Sequence, residues 1–151
     1  MADSDDLVIE VLLDADVEIP GDITHENMAR LIDSCLVAEG RDGVWQFSIA
    51  FVDEHEIVDL HQRFMNLPEP TDILTFPYEP DPLGNGGDIA ICVPVAAANA
   101  LEHGKSLSWE LCFLALHGVL HVLGWNDQTD ADRAAMLARQ EQILTEFGLT
   151  P

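Results

Sequence analysis

The stretch L-C-F-L-A-L-H-G-V-L-H-V-L-G, Leu111 to Gly124, is apolar on nearly every side of a helix and is interrupted by two histidines one turn apart. A helix that is hydrophobic all round belongs in a protein interior. The sequence therefore predicts a central buried helix, with Ser108 as its cap, Glu110 in its first turn and Gly124 as its stop. His117 and His121 project from one face of it, about 5 to 6 Å apart at Cβ. One histidine in such a place reads as a hydrogen-bonded core residue. Two on the same face read as a metal pair, because burying two unpartnered rings would cost on the order of 1 to 3 kcal/mol each, whereas one shared divalent ion, zinc above all, satisfies both. Gly124 can take positive φ and turn the chain back, which makes Asp127 a third ligand, with Asp130 and Asp132 as rivals. The residue after His117 is Gly118 rather than the glutamate of an H-E-x-x-H helix, so peptide hydrolysis loses its general base. A glycine there costs about 1 kcal/mol relative to alanine and marks a close approach to the helix backbone.

Outward from this helix, the remaining segments alternate between strand and helix patterns. Leu7 to Leu13 reads as a strand before a turn at Pro20 and Gly21, and His25 to Ala38 reads as an amphipathic helix ended by Gly40 to Gly43. Trp45, Phe47, Ile49 and Phe51 alternate with polar residues as in a half-buried strand. Asp53 and Glu56 have capping-box spacing ahead of a short helix faced by Ile57, Leu60 and Phe64, which Pro68 and Pro70 break. Ile73 to Tyr78 reads as a strand, Pro80 to Gly87 as a loop, Ile89 to Val93 as a strand, and an Ala-rich helix follows to Glu102. Met136, Leu137, Gln140, Ile143, Leu144 and Phe147 describe a final amphipathic helix. The expected fold is α/β (α+β), a small mixed sheet packed with about five helices, in one domain spanning residues 1–151.

Composition narrows the function classes. At 48% hydrophobic residues the chain is of globular type. Its start, Met1 to Asp6, is acidic and no apolar run reaches the ~18 residues of a spanning helix, so a cytoplasmic protein without signal peptide or membrane segment is expected. Cys35, Cys92 and Cys112 lack metal-site spacing and read as buried free thiols. Lys105 is the lone lysine, and the formal charge of −22 argues against broad phosphate-backbone binding, DNA included. Such a surface suits either a solvated acidic face or a salt-rich interior.

His117, Gly118, Leu120, His121, Gly124 and Trp125, together with P-T-D-I-L-T-F-P (Pro70 to Pro77) and G-D-I-A-I (Gly87 to Ile91), resemble the motifs of the YbeY family of metal-dependent endoribonucleases. The likeness covers roughly Phe51 to Phe147. It implies an α/β fold with a mixed sheet, one zinc ion per chain in a cleft, and single-strand-specific cleavage in ribosomal RNA maturation and ribosome quality control. The implied partners are ribosomal RNA or ribosomal small-subunit proteins. Two departures stand out: Asp127 replaces the family's third histidine, and Met65 stands where the family has an arginine, with His61 in place of a neighbouring asparagine. Arg63, two positions before Met65, is the substitute candidate for phosphate binding. Asp72 and Asp88 are polar residues within the matching blocks that either cap turns or act in catalysis. The alternative to a nuclease is a catalytically weakened zinc-binding ribosome-assembly protein. A small-molecule or peptide hydrolase is third.

Overall fold

A computed structural model describes residues 7–67, 69–79 and 85–148. In chain order these form β1 (Leu7–Ala15), α1 (His25–Ala38), β2 (Gly43–Val52), α2 (Glu54–Met65), β3 (Ile73–Pro77), β4 (Asn85–Cys92), α3 (Val93–His103), α4 (Leu107–Val122) and α5 (Asp130–Phe147). The strands lie in the order β1-β2-β4-β3; β1, β2 and β4 run parallel, and β3 is antiparallel to β4. This is the expected mixed sheet with five helices among the described residues.

Alternation along the strands divides the core between two faces. On one face Phe47, Ile49, Ile89 and Ile91 meet Leu31 and Leu36 of α1, Leu111, Leu116 and Leu120 of α4, and Ile143 and Leu144 of α5, all buried in the larger cluster. The opposite face carries a much smaller cluster of Val52, Ile57, Leu74, Ala90 and Cys92 beneath α2. Helix α4 is central and buried, as its pattern predicts, and Gly118 is what lets it sit close. A Cβ there would meet Ile89 Cδ1 at 2.9 Å and Cγ2 at 3.2 Å. Cys35, Cys92 and Cys112 are buried free thiols, and burial pushes Cys35 and Cys112 up to about 12.

Several boundaries differ from the sequence reading. The cap of α4 is Ser106, whose hydroxyl accepts from Trp109 N at 3.0 Å, while Ser108 instead donates to Asp22 at 2.6 Å and ties α4 to the turn before α1. β4 begins at Asn85, not Ile89, and Val93 opens α3 rather than closing the strand. Gly86 and Gly87 look like loop residues but are small because neighbours crowd them: a Cβ on Gly86 would lie 1.7 Å from Gln46 O, and one on Gly87 2.8 Å from Val122. Residues 80–84 of the expected loop, Pro68 of the expected break, and Met1 to Asp6 lie outside the described residues. Helix α2 ends one step before the prolines, because Asn66 turns left-handed at φ 56°. Phe64 does not join the buried side of α2; it is 59% exposed and rests on the ring of Phe76. Helix α5 starts at Asp130, well ahead of its apolar pattern, because the Thr129 hydroxyl caps it by accepting from Asp132 N. No described helix is long and apolar enough to cross a membrane.

Candidate metal centre

The last two turns of α4 carry His117 and His121 from the buried body of the helix to the wall of a cleft. Leu123 ends α4, Gly124 takes φ 108°, and the chain folds back so that Asp127 returns to the two rings. His117 Nε2 and His121 Nε2 are 2.9 Å apart, and Asp127 Oδ2 lies 3.7 Å from each. Donor atoms bound to one tetrahedral ion at about 2.0 to 2.1 Å would sit roughly 3.3 Å from one another, which these separations bracket. His117, His121 and Asp127 are the group of three potential ligands found among the described residues. Of the rival aspartates, Asp130 pairs with Arg133 at 3.2 Å, and neither Asp130 nor Asp132 joins the group.

The outer nitrogens say how the rings are protonated. His117 Nδ1 lies 3.1 Å from Gln140 Oε1, and His121 Nδ1 lies 3.0 Å from Trp125 O. Both partners are acceptors, so both Nδ1 atoms carry the hydrogen, and in neutral rings both Nε2 lone pairs point at each other. Such a pair is repulsive unless a proton or cation lies between, so the chemistry of the donors fits a metal ion. Burial holds the His117 imidazole below its ordinary range, against the opposing pull of the Gln140 hydrogen bond, and favours the neutral ligand form.

A supporting layer fixes these orientations. Gln140 of α5 is fully buried, and its Nε2 donates to Phe113 O at 3.1 Å, which leaves Oε1 turned toward His117. Trp125 Nε1 donates to Glu39 at 2.6 Å; Glu39 in turn accepts from Arg139 at 2.8 Å, and Arg41 donates to Leu123 O at 2.8 Å. The turn that carries the Trp125 carbonyl is thereby pinned to the end of α1 and to α5. Sequence reading places Gln140 on the buried side of its helix but does not foresee its task, and it misses Glu39, Arg41 and Arg139 altogether. The signal for Gln140 is a polar residue at an apolar-periodic position; for the others there is none, since their partners lie 82 to 100 residues away in the chain. At the far end of α4, Glu110 is buried with Oε1 3.3 Å from His103 Nδ1, and Oε2 has no partner among the described residues. Burial pushes its carboxyl above the ordinary range, while a protonated His103 would pull it down.

The cleft in front of the cluster has a volume of about 520 Å³ and is lined by His61 and Met65 of α2, Thr71 and Asp72 ahead of β3, Ile73 to Thr75 and Pro77 on it, and His117, His121 and Asp127. Asp72 is among these residues, with its Oδ2 accepting from Asn99 at 3.2 Å. Asp88 is not; it takes the Tyr78 hydroxyl on the α2 side of the sheet. Arg63 is not brought to the cleft either. It lies on the solvent side of α2, bonded to Asp59 at 2.7 Å. No lysine or arginine is among the described lining residues.

Comparison with known proteins extends over nearly all of these elements. The endoribonuclease YbeY family profile matches residues 13–148. A protein named endoribonuclease YbeY from Moorella thermoacetica is 41% identical over 140 residues, which cover 85% of this chain and 90% of that one. One of the same name from Geobacillus thermodenitrificans is 36% identical over 138 residues, 83% of this chain and 87% of that one. The solution structure of a Thermotoga maritima protein superposes with a TM-score of 0.65 at 27% identity, over 91% of this chain and 89% of that chain. Since the match runs from the first strand to the last helix and takes in both walls of the cleft, this chain belongs to the endoribonuclease YbeY family.

Proposed function

We propose that the chain is a zinc-dependent endoribonuclease acting on single-stranded segments of ribosomal RNA during ribosome maturation and quality control in the cytoplasm. The observation that carries this reading is the pair of facing Nε2 lone pairs with Asp127 beside them in the wall of the cleft. His117, His121 and Asp127 would hold the ion, one per chain, a donor set of two imidazoles and one carboxylate that suits catalytic zinc. When bound, zinc supplies Lewis acidity that stabilises the charge developing on a phosphodiester. Gln140 and the Trp125 carbonyl keep both rings in the ligand tautomer, and the cleft along β3 offers room for a backbone segment of RNA.

The absence of lysine and arginine from the described cleft lining favours a second reading, in which zinc stabilises a ribosome-assembly protein that contacts small-subunit proteins. Cleavage of structured ribosomal RNA by zinc-loaded protein, beside His121→Ala, separates the two. The nuclease reading expects cleavage by the parent and none by the variant. Capture of a small-subunit protein without cleavage replaces it with the assembly reading.

A further inference from the structure

We propose that His61 is the proton donor to the leaving oxygen in phosphodiester cleavage, a role that rests on the nuclease reading above. His61, on α2, lines the same cleft as the His117, His121 and Asp127 cluster. Its Nδ1 is 2.8 Å from Glu69 O. A backbone carbonyl only accepts, so Nδ1 carries the hydrogen, and Nε2 is the atom that gains and loses a proton. Among the described residues nothing is hydrogen-bonded to Nε2. The anchor is built by the way α2 ends: Asn66 turns left-handed, Asn66 N and Leu67 N donate back to Gln62 O and His61 O, and the chain brings Glu69 against the ring.

The other groups in the cleft narrow the choice. Thr71 and Thr75 offer hydroxyls, which release protons poorly near neutral pH, and Asp72, just before β3, accepts from Asn99. His117 and His121 of α4 and Asp127 turn their donor atoms toward one another. On its own helix, Asp59 and Arg63 are paired with each other on the solvent side. Imidazole is the side chain whose ordinary range lets it both hold and give a proton near neutral pH. In the step, water adds to phosphorus and the bond from phosphorus to the leaving oxygen breaks, its electron pair staying on that oxygen. The proton on His61 Nε2 passes to the oxygen and leaves a neutral ring, the attacking water gives its proton to solvent, and solvent reprotonates the ring.

The test compares zinc-loaded parent, His61→Asn and, as a control on the exposed first turn of α2, His55→Asn. Two substrates are used: an RNA oligonucleotide, whose leaving oxygen needs a proton, and bis(4-nitrophenyl) phosphate, whose leaving group does not. The expected result is a loss of about 10²-fold or more on RNA for His61→Asn, with the nitrophenyl rate within about 3-fold of the parent and zinc content unchanged. In zinc-free protein, ring nitrogen shifts should place a hydrogen on His61 Nδ1. An unchanged RNA rate, equal losses on both substrates, or an Nδ1 without a hydrogen overturns the assignment. A parent that binds zinc but cleaves no RNA overturns the nuclease reading and this assignment together.

Discussion

The α4 wall of the cleft and the α2 wall both border β3, but they are secured in different ways. On the α4 side each histidine is aimed by a second residue, Gln140 is fully buried, and the helix beneath belongs to the larger core cluster. On the α2 side the underlying cluster is small, Met65 is 47% exposed and Phe64 59% exposed, and the one anchor of His61 is a backbone carbonyl. Packing density and hydrogen-bond networks make the first wall resistant to change, since altering one member strands others. The second wall can exchange side chains at little expense in stability. The departures noted in the sequence motifs fit that division: both His61 and Met65 lie on the permissive wall, while Asp127, on the firm side, keeps a potential ligand atom beside the two histidines.

Attacking the firm wall should give the largest effect. His117→Ala is expected to lower zinc affinity by more than about 10²-fold and to leave purified protein with little metal, against one zinc per chain in the parent. Metal analysis of the two proteins checks it, and equal content would break the comparison at its root. Next comes Gln140→Leu, which leaves both histidines in place but frees the His117 ring. A loss of about 10- to 100-fold in zinc affinity by titration calorimetry is expected, the usual scale for outer partners of a ligand.

The firm wall also carries a liability at its base. The Glu110 carboxyl is raised by burial, so the folded state holds its proton more tightly than the unfolded chain does. Its contribution to stability is therefore fully present below the ordinary glutamate value of 4.5 and is lost as pH rises through the raised one. Denaturant unfolding across pH should show Glu110→Gln gaining on the parent above that range and converging with it below. The smallest change in stability, within about 0.5 kcal/mol, is expected of Met65→Arg on the exposed wall. Its effect lies in recognition: one added phosphate contact should steepen the log-log salt dependence of single-stranded RNA binding by about 0.7. An unchanged slope would show that this part of the α2 wall does not meet RNA.

Local rules carry far in this molecule. The bounds of α1, the alternation of β2, the Asp53 cap of α2 and the buried character of α4 are all legible because each depends on residues within one or two turns of one another. So is the gathering of His117, His121 and Asp127, which needs one helix turn and one glycine. What local rules misjudge is competition between equivalent signals and neighbours brought from afar. Ser106 and Ser108 both suit a cap, and only the distant Asp22 shows why the second is engaged elsewhere. Gly86 and Gly87 read as loop until Gln46 and Val122 are seen pressing on them. Arg63 is within reach of a phosphate-binding position in sequence, yet its place on the helix directs it to Asp59. The Glu39 and Arg139 pair closes over a span of a hundred residues, and no pattern within α1 or α5 announces it.

The three sulfhydryls offer a clock. They sit in separate places, Cys35 on α1, Cys92 at the end of β4 and Cys112 on α4, and each is buried with its acidity suppressed, so none presents a thiolate to a reagent while the chain is folded. Alkylation of each sulfur is then gated by transient opening of the element that covers it, and the rate at a fixed reagent concentration measures how often that element opens. Cys92 lies under the small cluster beneath α2 and Cys35 within the large one, so their modification rates, followed side by side by mass spectrometry, time the loosening of the two faces of the sheet independently.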